Sequence, residues 1–339
     1  MKHLFVIYNP RSSRYVDVES EVLSHLSEIK GCLIGKYEVA PTNVDDNIDR
    51  LTKLLEDGDL VISAGGDATG IIASNAILKS GKDVTLAALP YGNFNDLART
   101  LRTKTLKDIF REDTRNPFSE GIPERGSARV SARAPWRRER ATRPEEKGSE
   151  YPFRLFYPLE IIVDGKFFRY ATCYVTIGMT AEAVSIYDSP KMRAKLKNAF
   201  GRKITSYTEL SKWYFKNRHK HAFIPEFSLN GELQSTKTSD YAAVNGRSMA
   251  RVMRGGEDYH DPKFFRHETD RLTNFYRLVK LMMKSIFSRI PGTATDGDIL
   301  KFTNPSTVTL QAEGESVVLK DINKIEIRKS KKCLKVIEN

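Results

Sequence analysis

The chain has few cysteines, no long apolar run and no lysine-bearing phosphate loop, and each absence removes a class of protein. Cys32, Cys173 and Cys333 are its three cysteines, and their scatter fits no metal-ligand spacing. So few thiols point to a reducing compartment and to unpaired, structural side chains. No segment approaches the roughly 18 to 20 apolar residues that a membrane span needs. The opening Met1-Lys-His-Leu-Phe-Val-Ile-Tyr8 superficially looks like a secretion signal, but its apolar part is short and Asn9-Pro10-Arg11 follows at once. It reads as a first strand, and the protein as cytoplasmic and soluble. No internal repeat is present.

Acidic residues are outnumbered, 43 against 55 lysines and arginines, which leaves a net charge of +12. The excess favours anionic partners: nucleotides, nucleic acid or an anionic membrane surface, with a merely solubilising surface as the plain alternative. No platform of interleaved aromatic and basic residues supports base stacking, so no specific nucleic-acid partner is expected.

A length of 339 residues allows two domains with their own cores. Through the first hundred residues, short apolar runs (Leu4–Tyr8, Leu60–Ala64, Val84–Leu89) alternate with stretches of helical periodicity (Val18–Ile29, Ile48–Leu55, Ile71–Leu78). Such alternation predicts a parallel sheet flanked by helices, with ligands outside the carboxyl ends of the strands. From 125 to 150 the chain is rich in arginine and proline and poor in apolar residues, and reads as a flexible basic insert. A solvated linker and an electrostatic contact with anionic lipid both fit it. After Tyr151 strand-like segments dominate, with a hairpin turn expected at Asp164-Gly165. Basic amphipathic stretches at about 192–219 and 270–289 fit either core helices or a membrane-interface role. The bounds drawn are 1–124 for an α/β nucleotide-binding domain, 125–150 for the insert and 151–319 for a β-rich substrate domain, with 320–339 packing back on the first.

Leu60-Val-Ile-Ser-Ala-Gly-Gly-Asp-Ala-Thr69 is the most informative segment. A buried strand stops at two glycines, which let backbone amides approach an anion closely, and an acid and a hydroxyl follow. No Gly-Lys-Ser/Thr comes next, so this is no Walker loop. Leu89-Pro-Tyr-Gly-Asn-Phe-Asn-Asp-Leu-Ala-Arg99 repeats the grammar at the next strand end. Alone it could be a surface turn with a helix cap; two acid-bearing glycine turns at successive strand ends suggest a phosphate site.

With Asn9-Pro10-Arg11-Ser12-Ser13 before them and Glu313-Gly314-Glu315 near the end, these segments resemble the diacylglycerol kinase catalytic-domain family of soluble lipid kinases. Sphingosine kinases share that fold, and NAD kinases are more distant. Val175 to Val184 is similar to the family's Gly-x-Asp-Ala segment. The resemblance implies an α/β domain with a parallel sheet and a second, antiparallel, β-sandwich-like domain, the active site lying in the cleft between them. It implies ATP and Mg2+ as cofactors and a lipid hydroxyl as acceptor, met in transient contact with an anionic membrane surface. The protein would then be cytoplasmic and peripheral to the membrane. A homodimer is compatible with this reading, which does not choose an oligomeric state. Asn9, Pro10, Gly65, Gly66, Asp67, Thr69, Gly92, Asn93 and Asn95 would bind the nucleotide. Asp67, Asp96 and Glu315 would surround the metal, and Glu313, with Asp67, would be catalytic, Glu313 taking the hydroxyl proton. A nucleotide-binding homologue with weak or no activity and a kinase of a soluble acceptor are the alternatives. Three positions depart from the family pattern: Ala68 for a third glycine, Asn93 for threonine and Glu313 for aspartate. If position 68 requires a positive φ, alanine there costs roughly 1 kcal/mol.

Overall fold

A computed structural model describes residues 2–12, 14–29, 32–92, 95–110, 153–187, 202–217, 223–234, 238–249, 253–255, 263–270, 279–280 and 292–338. The expected basic insert, 125–150, Asn93, and most of the stretch 270–289 lie outside them.

The first domain follows the alternation read from the sequence. Strand β1 (Lys2–Tyr8) leads through α1 (Tyr15–Glu21) to β2 (Cys32–Glu38), then α2 (Val44–Leu54), β3 (Leu60–Gly65), α3 (Asp67–Ser80), β4 (Thr85–Pro90) and the short helices α4 (Asp96–Leu101) and α5 (Leu106–Ile109). β3 is buried along its whole length, as a central parallel strand covered on both faces must be. Asn43 caps α2 by accepting from the Asp46 amide at 2.7 Å.

The second domain begins after β5 (Phe153–Phe156) with β6 (Leu159–Val163), β7 (Lys166–Ala171) and β8 (Tyr174–Gly178). Helices α6 (Met179–Tyr187) and α7 (Arg202–Asn217) intervene before β9 (Phe227–Leu229), β10 (Glu232–Gln234), β11 (Thr238–Val244), β12 (Ser248–Met249), β13 (Met253–Arg254), β14 (Phe264–Asp270), β15 (Thr293–Thr295), β16 (Gly297–Ala312) and β17 (Glu315–Lys329). Ten of these strands form one antiparallel sheet whose main path runs β15-β14-β11-β8-β16-β17-β6-β7. In α7, Tyr214 turns inward and Trp213 stacks on Phe223, whereas Phe215 is exposed.

The chain returns to the first sheet at two places. Its order is β2-β1-β3-β4-β18-β5, where β18 (Leu334–Ile337) runs parallel to β4 and antiparallel to β5. Sheet membership therefore divides the chain at other points than the sequence bounds: 153–156 belongs to the first sheet, and of 320–339 only β18 joins it, because β17 extends to Lys329 in the second.

Three hairpins in the second domain turn on two residues, both with positive φ: Asp164-Gly165, Asn230-Gly231 and Glu313-Gly314. That shape suits the right-handed twist of the flanking strands and favours Asn or Asp followed by Gly. Glutamate at 313 is the exception to this chemistry.

Candidate active site

Three strand-end turns of the first domain come together. After β1, the Asn9 carbonyl accepts from the Ser12 amide (2.9 Å) and its side chain from the Arg11 amide (3.0 Å), which closes a tight turn. Ser12 Oγ then donates to the Tyr91 carbonyl (2.7 Å), and the Arg14 guanidinium to that of Pro90 (2.9 Å), tying this turn to the one after β4. The Tyr91 amide donates to the Gly65 carbonyl at 3.1 Å, which ties it to the turn after β3. Asn95, at φ 56°, accepts from the Gly92 amide (2.6 Å) and donates to the Pro90 and Gly92 carbonyls.

The glycines are required by contact between the turns. A Cβ on Gly92 would overlap the Gly66 Cα and lie 2.9 Å from the Gly66 nitrogen. One on Gly66 would lie 3.2 Å from the Gly92 Cα. Gly66 caps α3 with its carbonyl, which accepts from the Thr69 and Gly70 amides (3.0 and 3.1 Å), so the N-terminus of this 14-residue helix, where the macrodipole favours an anion, lies at the glycine turn. Thr69 is buried, with its hydroxyl against Gly65, so it shapes the turn from below. Ala68 lies within the first turn of α3 and has no positive φ. The expected strain at that position is absent, because the third place of the motif is already helical and alanine suits a helix.

Asp67 is buried, and Oδ1 accepts from the amides of Asp96 (2.6 Å) and Leu97 (3.3 Å), so the acid beginning α3 also caps α4. Burial pushes its carboxyl up to about 6, against the opposing pull of these amides and of Arg99. Asp96 pairs with Arg99, one turn on.

From the second domain comes Glu313, fully buried, on the positive-φ turn between β16 and β17. Thr172 Oγ1 donates to its two oxygens at 2.6 and 2.7 Å, and the Cys173 amide donates to Oε1. Burial raises this carboxyl to about 8; those donors pull it down, and the charge of Asp67 adds to the rise. The same two acids, acting after burial, push up the Cys173 thiol, which lies 3.8 Å from Thr100 Oγ1 of α4. Asp67 and Glu313 thus meet electrostatically across the seam between the domains.

The expected metal set is not assembled. Glu315 Oε2 accepts from Arg169 at 3.2 Å, and the same guanidinium reaches Asp45 of α2 at 2.8 Å. Among the described residues no three His, Cys, Asp or Glu side chains lie close enough to share an ion. In this structure Asp96 and Glu315 pair with Arg99 and Arg169, whereas Asp67 accepts from backbone amides. Asp67 remains, and a single carboxylate fits the manner in which Mg2+ arrives bound to phosphates and water. Arg169, Thr172 and Cys173 escaped sequence reading, since only the fold brings them to the acids.

Known proteins resemble the chain in a consistent way. Its whole length superposes on three solved Bacillus anthracis structures and covers 97% of each: a diacylglycerol kinase (TM-score 0.57, 11% identity) and two candidate diacylglycerol kinases (0.58, 13%; 0.61, 14%). At such identities the likeness establishes the two-domain fold. No curated protein is significantly similar in sequence. Residues 3–115 match the diacylglycerol kinase catalytic domain model, a span that holds all three turns. No helix among the described residues is long and apolar enough to cross a membrane.

Proposed function

We propose that the protein transfers the γ-phosphate of ATP to a hydroxyl of a lipid, a diacylglycerol or another lipid alcohol. The observation that carries this reading is the convergence of buried acids from both domains on one seam beside a glycine turn at a helix start: Asp67 caps α4, Thr100 of α4 lies 3.8 Å from Cys173 Sγ, and the Cys173 amide donates to Glu313. The Gly65-Gly66 turn, the start of α3 and the Asn9-Pro10 turn would receive the phosphates, with the Gly92 turn, held in shape by Asn95, packed against Gly66. Asp67 would hold the Mg2+, whose charge would offset that of the transferred phosphoryl group. In its ionised form, Glu313 would take the acceptor hydroxyl proton. The acceptor oxygen then bonds to the γ-phosphorus as the bond to the ADP oxygen breaks.

The full chain, given labelled ATP and Mg2+ in mixed micelles, should label a lipid alcohol. Asp67→Asn should lower turnover at least about a hundredfold with unchanged circular dichroism. ATP binding without transfer to any of a broad lipid panel would overturn the reading in favour of a nucleotide-binding homologue. Turnover independent of micelles would point to a soluble acceptor.

The net charge supports transient contact with an anionic membrane, where such an acceptor resides. Deleting residues 125–147 should weaken binding to anionic vesicles at low salt and leave high-salt binding little changed. Equal vesicle binding by both chains at low salt would assign the insert a linker role.

A further inference from the structure

Helix α3 begins at the phosphate turn, and two turns further on it reaches into the other domain. There Asn75, 5% exposed, holds the end of β7: its Nδ2 donates to the Tyr170 carbonyl and its Oδ1 accepts from the Tyr170 amide, both at 2.9 Å. Nδ2 also donates to the Ile71 carbonyl at 3.0 Å, so both N–H groups of the amide are used within helix and strand. β7 is the last strand on its side of the second sheet, and Tyr170 pairs with Glu160 of β6 on the other side. A side-chain amide from the first domain therefore fills the place of the next strand.

The position of this contact matters. Ala171 ends β7, and the next two residues are Thr172 and Cys173, the donors that hold Glu313. The same short segment is gripped from beyond by Asn245, whose Nδ2 donates to the Thr172 carbonyl (2.7 Å) and whose amide donates to the Cys173 carbonyl (2.7 Å). From Asp67 to Glu313 the path is one helix, one buried amide and three residues of backbone. The neighbouring bridge from Asp45 to Arg169 is a poorer ruler, because Asp45 is 69% exposed and the pair is screened by water and salt. A neutral, buried, two-way amide pair is not.

We infer that Asn75 is a positioning residue, fixing the cradle of Glu313 relative to the phosphate turn. The inference rests on the proposed role of Glu313 as base. Asn75 need not touch substrate; it sets where the base stands when the acceptor arrives. A displacement on the order of 1 Å can lower a rate about a hundredfold.

Asn75→Leu and Asn75→Gln, which keeps the amide but moves it by one methylene, test this. Each should lower kcat by about ten- to a hundredfold while KM for ATP stays within about twofold, and the effect should vanish in a Glu313→Gln background, since residues acting as a unit are not additive. By hydrogen exchange, the peptide spanning Thr172 and Cys173 should lose protection in both variants while β1 and β3 keep theirs. Unchanged kcat with a lowered Tm, an undiminished effect in the Glu313→Gln background, or a uniform loss of protection would make Asn75 an ordinary core contact and overturn the inference. If the wild-type chain labels no acceptor, the kinase reading fails by itself, and the exchange pattern still decides whether Asn75 orders the cradle.

Discussion

Glu313→Gln is expected to lower kcat by about 10²- to 10⁴-fold, the usual range for removing a general base, and to flatten the dependence of stability on pH. Gln keeps the length of the side chain and an oxygen for Thr172 and Cys173, so the fold survives the change. The stability effect follows from the direction of the carboxyl's shift. In the folded protein it titrates at about 8, against an ordinary 4.5. Between those values the folded state holds a proton that the unfolded chain has released, so stability falls as pH rises from about 4.5 to 8 and levels beyond. Over that window the loss is on the order of a few kcal/mol. Asp67 at about 6 and Asp240 at about 7 are raised by burial and contribute in the same direction, so the variant should retain part of the slope. Activity should move the other way, climbing over the same window as Glu313 ionises. A variant whose kcat stays within tenfold of wild type would show that the base is elsewhere.

The second large effect is expected from Gly92→Ala. Its new methyl would occupy space filled by the Gly66 backbone, which has no rotamer by which to withdraw, so the two turns would have to part. Overpacking of this kind costs about 1–3 kcal/mol or more, and Tm should fall accordingly. ATP affinity should fall further than stability alone explains, because the Gly65-Gly66 turn would be pushed out of its place at the phosphate site. Gly66→Ala would approach the Gly92 Cα at 3.2 Å and should be the milder change in Tm. Calorimetric titration with ATP, alongside thermal melts, separates the two effects. Wild-type ATP affinity in Gly92→Ala would show that the turns do not form the phosphate site.

What the sequence disclosed and what it hid divide along chain distance. The phosphate turns were legible because a buried strand, a glycine break and a helix start are adjacent in the chain. The antiparallel second domain was legible from its strand patterns and the Asp164-Gly165 hairpin. The condition for strain at Ala68, a positive φ, is not met, and a motif written as letters does not show where the turn ends and α3 begins. Asp96 and Glu315 were grouped as metal ligands by resemblance, while their arginine partners differ in kind: Arg99 is three residues from Asp96, but Arg169 is 146 residues from Glu315. Thr172 and Cys173 reach Glu313 across 141 and 140 residues, and Asn75 reaches Tyr170 across 95. No periodicity encodes such pairs.

The place of β18 bears on how the protein is made. Its strand lies between β4 and β5, inside the first sheet, so that sheet stays open until residue 337 has emerged from the ribosome. The segment that carries the family signature, 3–115, thus waits for more than two hundred further residues before its last neighbour arrives. During that interval the side of β4 that β18 will cover offers unpaired backbone groups to any passing strand. Biogenesis should accordingly lean on chaperones that shield a nascent sheet edge. A premature stop just before Leu334 should leave an aggregating chain, although every phosphate turn has been synthesised.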